Sequence, residues 1–542
     1  MKAKRLGAYY TDRQIADFLV SWAIRVPTDS ALDPSFGGGV FLEAAATRIS
    51  EVGGCVDSQL HGVELDAEVH ASVASLMGAQ NPNLIQSDFF ALPPGSLMVD
   101  AIIGNPPFIR FHHFSGEVRR RALLRSRQSG VNLSGLSSSW APFLVHAASM
   151  IREGGRLAMV VPTEISYATY AVPVLAKLAS CFGAIRLLSF RKKLFPNLSE
   201  STMLLLADVY GGNCSEISVY DLEDARELAG LDFQATSQRH PANLSTASIL
   251  SGEMRFAEIY LDRTARGLYK SLAESPCVLK LGDAADVGIG YVTGANSFFH
   301  FSGSSPEELG IPARCLSRSV LKGKALKGVS FSDDDWDSGR VAGDTGYLLS
   351  ISQPASTLPS PVRDYLSDGE KSGSSAGYKC RNRSPWYAVP KGELPDGFLT
   401  YMSGSRPRLV ANDTNAYAPN TLHVVKVKPA AMTSITSLAA GWQTSLSELS
   451  AELEGHALGG GMLKIEPGEA RQLLVPANGW DASGLLSELD RLVRQGRQAE
   501  ATTLADEEIL VKRIGVSGTD CRTLQRAACV LKERRGQKGT VA

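Results

Sequence analysis

Little in this 542-residue chain announces a partner by quantity alone. The 8 cysteines are scattered singly, with no Cys-x-x-Cys pair and no Cys/His cluster. That excludes a disulfide framework and a structural zinc site, leaves core packing as their role, and gives no reason to expect a metal. No apolar run is long enough to span a bilayer, and Met1-Lys2-Ala3-Lys4-Arg5 leads into a polar helix rather than a signal sequence. A cytoplasmic protein without a membrane partner is the expectation. Neither sign of charge dominates, since 55 Lys and Arg against 56 Asp and Glu leave a net charge of -1. Affinity for nucleic acid would therefore need a local basic cleft. Tandem repeats and low-complexity tracts are absent. So are Gly-Lys-Ser/Thr, which argues against a triphosphate cradle, and Gly-x-Gly-x-x-Gly, which argues against a dinucleotide. There is also no Asp…Glu-x-Lys nuclease centre, so the chain is not expected to cut DNA.

What is present begins with a hydrophobic content of 44% and a length too great for one ordinary core. Two substantial domains and a helical tail are expected. The most informative stretch is Asp100-Ala101-Ile102-Ile103-Gly104-Asn105-Pro106-Pro107-Phe108. An apolar run ending in Gly reads as a buried strand, and two prolines stop it abruptly. A rigid polar loop at a strand's carboxyl end is where open α/β sheets place ligands. Asn105 contributes a side-chain carbonyl oxygen, and Pro106 a backbone carbonyl without an N–H. With Phe108 as a stacking surface, two such acceptors suit a planar amine; otherwise the segment is a Pro-rich turn after a core strand.

Three further strand ends precede it. Ala31-Leu32-Asp33-Pro34-Ser35-Phe36-Gly37-Gly38-Gly39 is a strand, an acid and a glycine-rich turn, with a helix beginning near Val40. Gln59 to Asp66 holds a short strand ending at Glu64-Leu65, and an acid there either accepts two ribose hydroxyls or is a solvated loop carboxylate. Leu84-Ile85-Gln86-Ser87-Asp88-Phe89 supplies a third strand edge, with Asp88 as an acceptor for an adenine amino group and Phe89 as a cover for its ring. Ahead of all three, Tyr10-Thr11-Asp12 precedes an amphipathic helix carrying Ile15, Phe18, Leu19 and Trp22 on one face. Thr11 or Asp12 is its N-cap, or the turn folds over a ligand.

Taken in order, the Tyr-Thr turn, Asp-Pro-x-x-Gly-x-Gly, the ribose acid, Asp-Phe and Asn-Pro-Pro-Phe resemble the γ-class adenine-N6 DNA methyltransferases of restriction-modification systems. That family usually has Pro where Asp12 stands. The resemblance implies an α/β fold: a Rossmann-like S-adenosylmethionine-dependent methyltransferase sheet followed by a β-rich α+β target recognition domain. It implies residues 1–225 as the catalytic domain, 226–480 as the recognition domain and 481–542 as a helical segment packed on the latter. Asn105, Pro106, Pro107 and Phe108 become the catalytic loop, and Phe195, in Phe195-Pro196-Asn197, a second plate for the target base. Cofactor contacts are expected from Tyr10, Thr11, Asp33, Ser35, Gly37, Gly39, Glu64, Leu65, Asp88, Phe89 and Asn105. The implied partners are double-stranded DNA and a cognate restriction endonuclease or other defence-system proteins, with the chain itself a monomer. Competing readings are an RNA or protein-glutamine N-methyltransferase, and a non-catalytic DNA-binding subunit that keeps the cofactor fold.

The remaining chain adds candidates of two kinds. Arg110, Arg119, Arg120, Arg121, Arg125 and Arg127 follow the catalytic loop with little acid between them, either as an exposed helix face or as phosphate contacts. Ser129 to Ser139 reads as a mobile loop that orders on a substrate. Trp140 to Met150, Gly154 to Pro162, Ile185 to Phe190 and Thr202 to Tyr210 continue the sheet, and the region from Gly211 to Ser275 reads as a connector plus small elements. Beyond it, Gly290 to Asn296, Arg383 to Tyr387, Arg406 to Asn412 and Gly459 to Ile465 resemble the family's recognition region, with Arg383, Arg406 and Arg408 as candidate phosphate ligands. Ala482 to Arg497 and Thr502 to Lys512 are helical by period, and the basic tail from Lys532 to Lys538 is expected to fray.

Overall fold

A strand buried on both faces needs a continuous apolar run, and the segments predicted above supply several at helix-length intervals. The computed structural model describes residues 11–78, 83–195, 201–231, 233, 241–302, 306, 308–458, 461–477 and 479–537. The chain forms two compact units, one reaching from its start to Ile259 and taking in the residues from Gly536, the other Tyr260–Arg535. No helix among the described residues is long and apolar enough to cross a membrane.

The first unit is a nine-stranded sheet. Its elements are α1 (Arg13–Ala23), β1 (Ala31–Asp33), α2 (Val40–Glu51), β2 (Leu60–Glu64), α3 (Ala67–Leu76), β3 (Leu84–Gln86), β4 (Val99–Gly104), α4 (Gly116–Gln128), α5 (Trp140–Ala148), β5 (Ile151–Pro162), α6 (Ala171–Ala179), β6 (Phe182–Phe190), β7 (Thr202–Tyr210), β8 (Glu216–Leu222) and β9 (Ala242–Ser245). The order is β3-β2-β1-β4-β5-β7-β6-β8-β9. The first five strands are parallel, and β7 slots in antiparallel between β5 and β6. Chain order reverses between β1 and β4, so the switch-point crevice opens at the carboxyl ends of those two strands.

Local chemistry accounts for the ends of these elements. Asp12, not Thr11, caps α1, its carboxylate accepting from the Gln14 N–H at 2.8 Å. Ile15, Ala16, Leu19, Val20 and Ala23 turn that helix's apolar face into the core. Asp100 lies at the far end of β4 from the crevice. It accepts from the Ser30 N–H at 2.9 Å, the Ser30 hydroxyl at 2.7 Å and Arg152 at 2.8 Å, stapling the start of β4 to the residue that leads into β1. The sheet continues past residue 225 through β9, so part of the segment read as a connector is edge strand. Short, half-polar strands of this kind leave no long apolar signal in a sequence.

The second unit contains a five-stranded sheet, Ala285–Ile289, Leu422–Val427, Gly397–Thr400, Leu409–Asn412 and Ser330–Phe331 in spatial order, antiparallel except for its last pair. A three-stranded antiparallel sheet, His300–Phe301, Thr345–Leu349 and Leu316–Val320, lies in the same unit. Helix Ser483–Arg494 buries Leu486, Leu489 and Leu492. The last helix runs from Gly518 to Gln537 rather than fraying from Lys532, and its Arg535 pairs with buried Glu452 at 2.8 Å.

Arg406 is the polar tie of this unit. It is 6% exposed, and its guanidinium donates to Thr502 Oγ1 at 3.0 Å, Glu448 at 3.3 Å, the Thr444 carbonyl at 2.7 Å and the Trp442 carbonyl. Removing one member of a buried ionic network leaves the others unpaired, a loss of about 3 kcal/mol or more. We predict that Arg406→Ala moves the urea unfolding transition of the chain to clearly lower denaturant by circular dichroism; an unshifted transition would contradict this structural role.

Candidate active site

Four strand ends meet at the switch point. β1 ends in Asp33, β2 in Glu64, Asp88 follows β3, and β4 runs into Asn105. Gly104 turns the chain there with a φ of +145°, and a Cβ at that position would lie 2.9 Å from Asp33 Oδ1. Glycine is what lets β4 leave the sheet this close to the β1 carboxylate.

Asn105 is held on one side only. Its Nδ2 donates to Thr11 Oγ1 at 3.2 Å, while its Oδ1 is buried with no hydrogen-bond partner among the described residues. Its backbone carbonyl accepts from Ser35 Oγ at 3.4 Å. The Pro106 carbonyl likewise receives no hydrogen bond from the described residues. The Pro107 carbonyl, by contrast, accepts from the Ser139 hydroxyl. The loop therefore presents two neighbouring acceptors that no donor among the described residues satisfies, a costly arrangement unless something else supplies the hydrogens.

The acids are arranged differently from one another. Asp33 is 1% exposed; its Oδ1 accepts from the Ser35 N–H at 3.0 Å, and its Oδ2 has no partner among the described residues. Burial pushes its carboxyl up to about 8, with the charge of Glu64 adding to the effect and the Ser35 hydrogen bond opposing it. The Glu64 carboxylate is aimed by two backbone donors, Gly37 N–H at 3.0 Å and Asp66 N–H at 2.8 Å. Nothing lies within 4 Å of where a Gly37 Cβ would stand, so the turn beneath Glu64 leaves open space, and Gly39, at φ +84°, precedes α2. Asp88 accepts from the Phe90 N–H at 3.0 Å and pairs with Arg121 at 3.3 Å. A buried acid with an idle oxygen, a pre-aimed carboxylate and a third acid after the next strand make the strand ends rich in acceptors. That set fits a ligand carrying an ammonium group, a diol and an aromatic amine, which are the donors of S-adenosylmethionine.

Some expected contacts are placed elsewhere. Phe89 is 4% exposed, with its ring against Phe143 at 4.8 Å and His146 at 4.6 Å, so it is a core residue rather than a lid over a ligand ring. Leu65, 47% exposed, is the apolar side chain left at the rim. Phe108 and Phe195 are buried, and neither ring contacts another aromatic among the described residues. Tyr10, Pro196 and Asn197 lie outside the described residues.

The arginines divide sharply. Arg119 donates to the Phe114 carbonyl at 3.0 Å, to Phe111 and to Gly135, so it braces loops and is not directed at a phosphate. Arg383 donates to the Thr293 carbonyl at 2.7 Å and to Val292, and Arg408 to the Leu326 carbonyl. With Arg406 enclosed as described, these three recognition-region candidates are structural. Arg110 and Arg120 remain exposed, Arg120 paired with Glu117 at 2.5 Å on the helix surface. Sequence reasoning missed the roles of Arg121 on Asp88 and of Arg125, which donates to the Phe90 carbonyl at 2.9 Å and the Ala91 carbonyl at 3.2 Å. Their spacing of four on α4 marks a single helix face and is the signal that could have identified them. Of the stretch read as a loop, Ser137, Ser138 and Ser139 are at most 5% exposed, whereas Leu136 before them is 63% exposed. Among the described residues no cluster of His, Cys, Asp or Glu could hold a metal ion.

A mostly parallel sheet with a strand inserted antiparallel, a glycine-rich turn after β1, and Asn-Pro-Pro-Phe after β4 define a methyltransferase-type α/β fold with a second, antiparallel-sheet unit. The family model described as N-6 DNA Methylase matches residues 1–205, and that of the type II methyltransferase M.Eco57I, C-terminal domain, matches 253–510. Type II methyltransferase M.AccI of Acinetobacter calcoaceticus is 20% identical over 480 residues, covering 86% of this chain and 84% of that one. M.XamI of Xanthomonas campestris pv. amaranthicola is 23% identical over 497 residues, covering 88% and 86%. The solved structure of the type IIL restriction-modification enzyme MmeI in complex with DNA shares the fold, with a TM-score of 0.55 at 12% identity over 96% of this chain and 75% of that one. The first 205 residues thus match a family that uses S-adenosylmethionine as methyl donor, and the chain is an N6-adenine DNA methyltransferase similar to the type II methyltransferases of restriction-modification systems.

The state of Asp33 has a consequence for the ligand-free protein. An acid that stays protonated when folded but ionises near its ordinary pKa of about 4 when unfolded makes stability fall as pH rises from about 4 to about 8. Asp33→Asn removes that penalty. Without cofactor, the variant should therefore melt above the parent at about pH 9, with the gap closing towards about pH 4 in a thermal-shift series; a pH-independent gap would rule out the proton at Asp33.

Proposed function

We propose that the first unit transfers a methyl group from S-adenosylmethionine to the N6 of an adenine flipped out of double-stranded DNA, and that the second unit recognises the target. The observation that carries the assignment of residues is the pair of unsatisfied acceptors, Asn105 Oδ1 and the Pro106 carbonyl, beside the acid-lined turns. Asp33, Glu64 and Asp88 would hold the cofactor through its ammonium, ribose and adenine donors, with Thr11, Ser35, Gly37, Gly39 and Leu65 around them. When bound, S-adenosylmethionine supplies an electrophilic methyl group on a sulfonium.

The adenine amino nitrogen is a poor nucleophile because its lone pair is delocalised into the ring. Accepting its two hydrogens at Asn105 Oδ1 and Pro106 favours a more tetrahedral nitrogen and orients the lone pair. The barrier falls by positioning and electrostatics, with no covalent link to the enzyme and no role for a cysteine. The hydrogen bond from Asn105 Nδ2 to Thr11 keeps the amide oxygen turned towards the substrate.

A base inside the duplex cannot reach a buried acceptor pair, so it must be extruded at a cost of a few kcal/mol. Stacking on Phe108 and Phe195 would offset this, at roughly 1–3 kcal/mol per base. Arg110, Arg120 and Arg127, all exposed, are the remaining candidates for phosphate contact, and the exposed Arg120–Glu117 pair is weak enough to exchange. Monomeric action, alongside a cognate endonuclease or other defence protein, completes the reading.

Replacing Asn105 with Ala should lower methyl transfer by at least about 100-fold while cofactor and DNA binding persist. Labelled-methyl incorporation into plasmid DNA measures this, and substantial residual turnover would remove Asn105 from the mechanism. Phe195→Ala should reduce the fluorescence rise of 2-aminopurine placed at the target position; an unchanged rise would exclude Phe195 as a stacking plate.

A further inference from the structure

The hydrogen bonds that hold the catalytic loop converge on one side chain outside it. Ser139, 1% exposed, directly precedes α5. Its hydroxyl donates to the Pro107 carbonyl and accepts from the Ile109 N–H at 2.8 Å, and its own N–H donates to the Ile109 carbonyl at 3.0 Å. One residue thus satisfies three polar groups immediately after Asn105 and Pro106. Ser139 is itself fixed from behind. The next residue, Trp140, is fully buried and donates from Nε1 to Glu164 Oε2 at 2.9 Å, and the Tyr170 hydroxyl donates to the same oxygen. Glu164 follows β5, the strand paired with β4, so the loop and its support hang from adjacent strands.

Two prolines in succession offer two carbonyls of similar chemistry, and an amino group has only two hydrogens to give. A carbonyl that already accepts one hydrogen bond is pinned in direction and is the weaker competitor for the amine. We infer that Ser139 is a positioning residue for methyl transfer. By occupying the Pro107 carbonyl it leaves Pro106 and Asn105 Oδ1 as the gripping pair, and by bonding Ile109 on both sides it fixes their spacing. The inference rests on the proposed role of Asn105 and Pro106.

Ser139→Ala removes the hydroxyl but keeps the backbone bond. Ser137→Ala is its control: Ser137 is 2% exposed, and its hydroxyl donates only to the Ser134 carbonyl at 2.9 Å, within the same loop. Ser139→Ala should lose on the order of 10- to 100-fold in kcat with KM for S-adenosylmethionine and for DNA unchanged, the scale expected of a displaced near-attack geometry. Ser137→Ala should match the parent. An undiminished kcat in Ser139→Ala, an equal loss in both variants, or loss of S-adenosylmethionine binding together with turnover would each overturn the proposal. Asn105→Ala, assayed in parallel, separates the two levels. If it remains active, the reading of the loop has failed and the role of Ser139 falls with it; if it is inactive while Ser139→Ala is not, only the positioning role is lost.

Discussion

A buried carbonyl oxygen without a donor is expensive, and a protein keeps one only where the missing hydrogen arrives with a ligand. Asn105 Oδ1 is such an atom. The rest of the first unit can be understood as what is needed to keep it unsatisfied. Thr11 takes the amide nitrogen, Ser35 takes the backbone carbonyl, and the proline that follows has no N–H to fold back. The sheet supplies the rigidity, because β4 lies between β1 and β5 with Ala101, Ile102 and Ile103 fully buried.

The cofactor side follows a complementary logic. Three acids approach one crevice from three strand ends, and like charges brought together in a poorly solvated place raise one another's proton affinity. The turn resolves this by giving each a different environment. Glu64 receives two backbone N–H groups, Asp88 receives Arg121, and Asp33 is left dry with one oxygen idle. In the proposed reading, Glu64 and Asp88 offer a diol and an amine acceptors that are already oriented, while burial holds a proton on Asp33 until an ammonium arrives.

How far this could be read in advance depended on the kind of signal. Strand ends punctuated by Gly, Asp or Pro were legible because only a few residue types permit those turns, so Asp33, Glu64, Asp88 and Asn105 could be set at neighbouring strand ends from their order alone. The arginines could not be resolved. A guanidinium suits a phosphate and a main-chain carbonyl equally well, and only burial decides between them, as it does for Arg406. Phe89 was ambiguous for a related reason, since an aromatic after an acid covers a ligand or fills a core with the same surface. The serines before α5 misled because their composition signals a loop, whereas partnered hydroxyls let them be buried. The β8 and β9 strands were legible only as small elements within a connector, because a short, half-polar pattern does not show that a strand joins the main sheet.

Gly104 leaves one more consequence. Every other genetically encoded residue carries a Cβ, and here that atom would press against Asp33 from a backbone conformation that side chains rarely adopt. Codon 104 is therefore a point of evolutionary fragility: any missense change there strikes the donor cradle and the acceptor loop together.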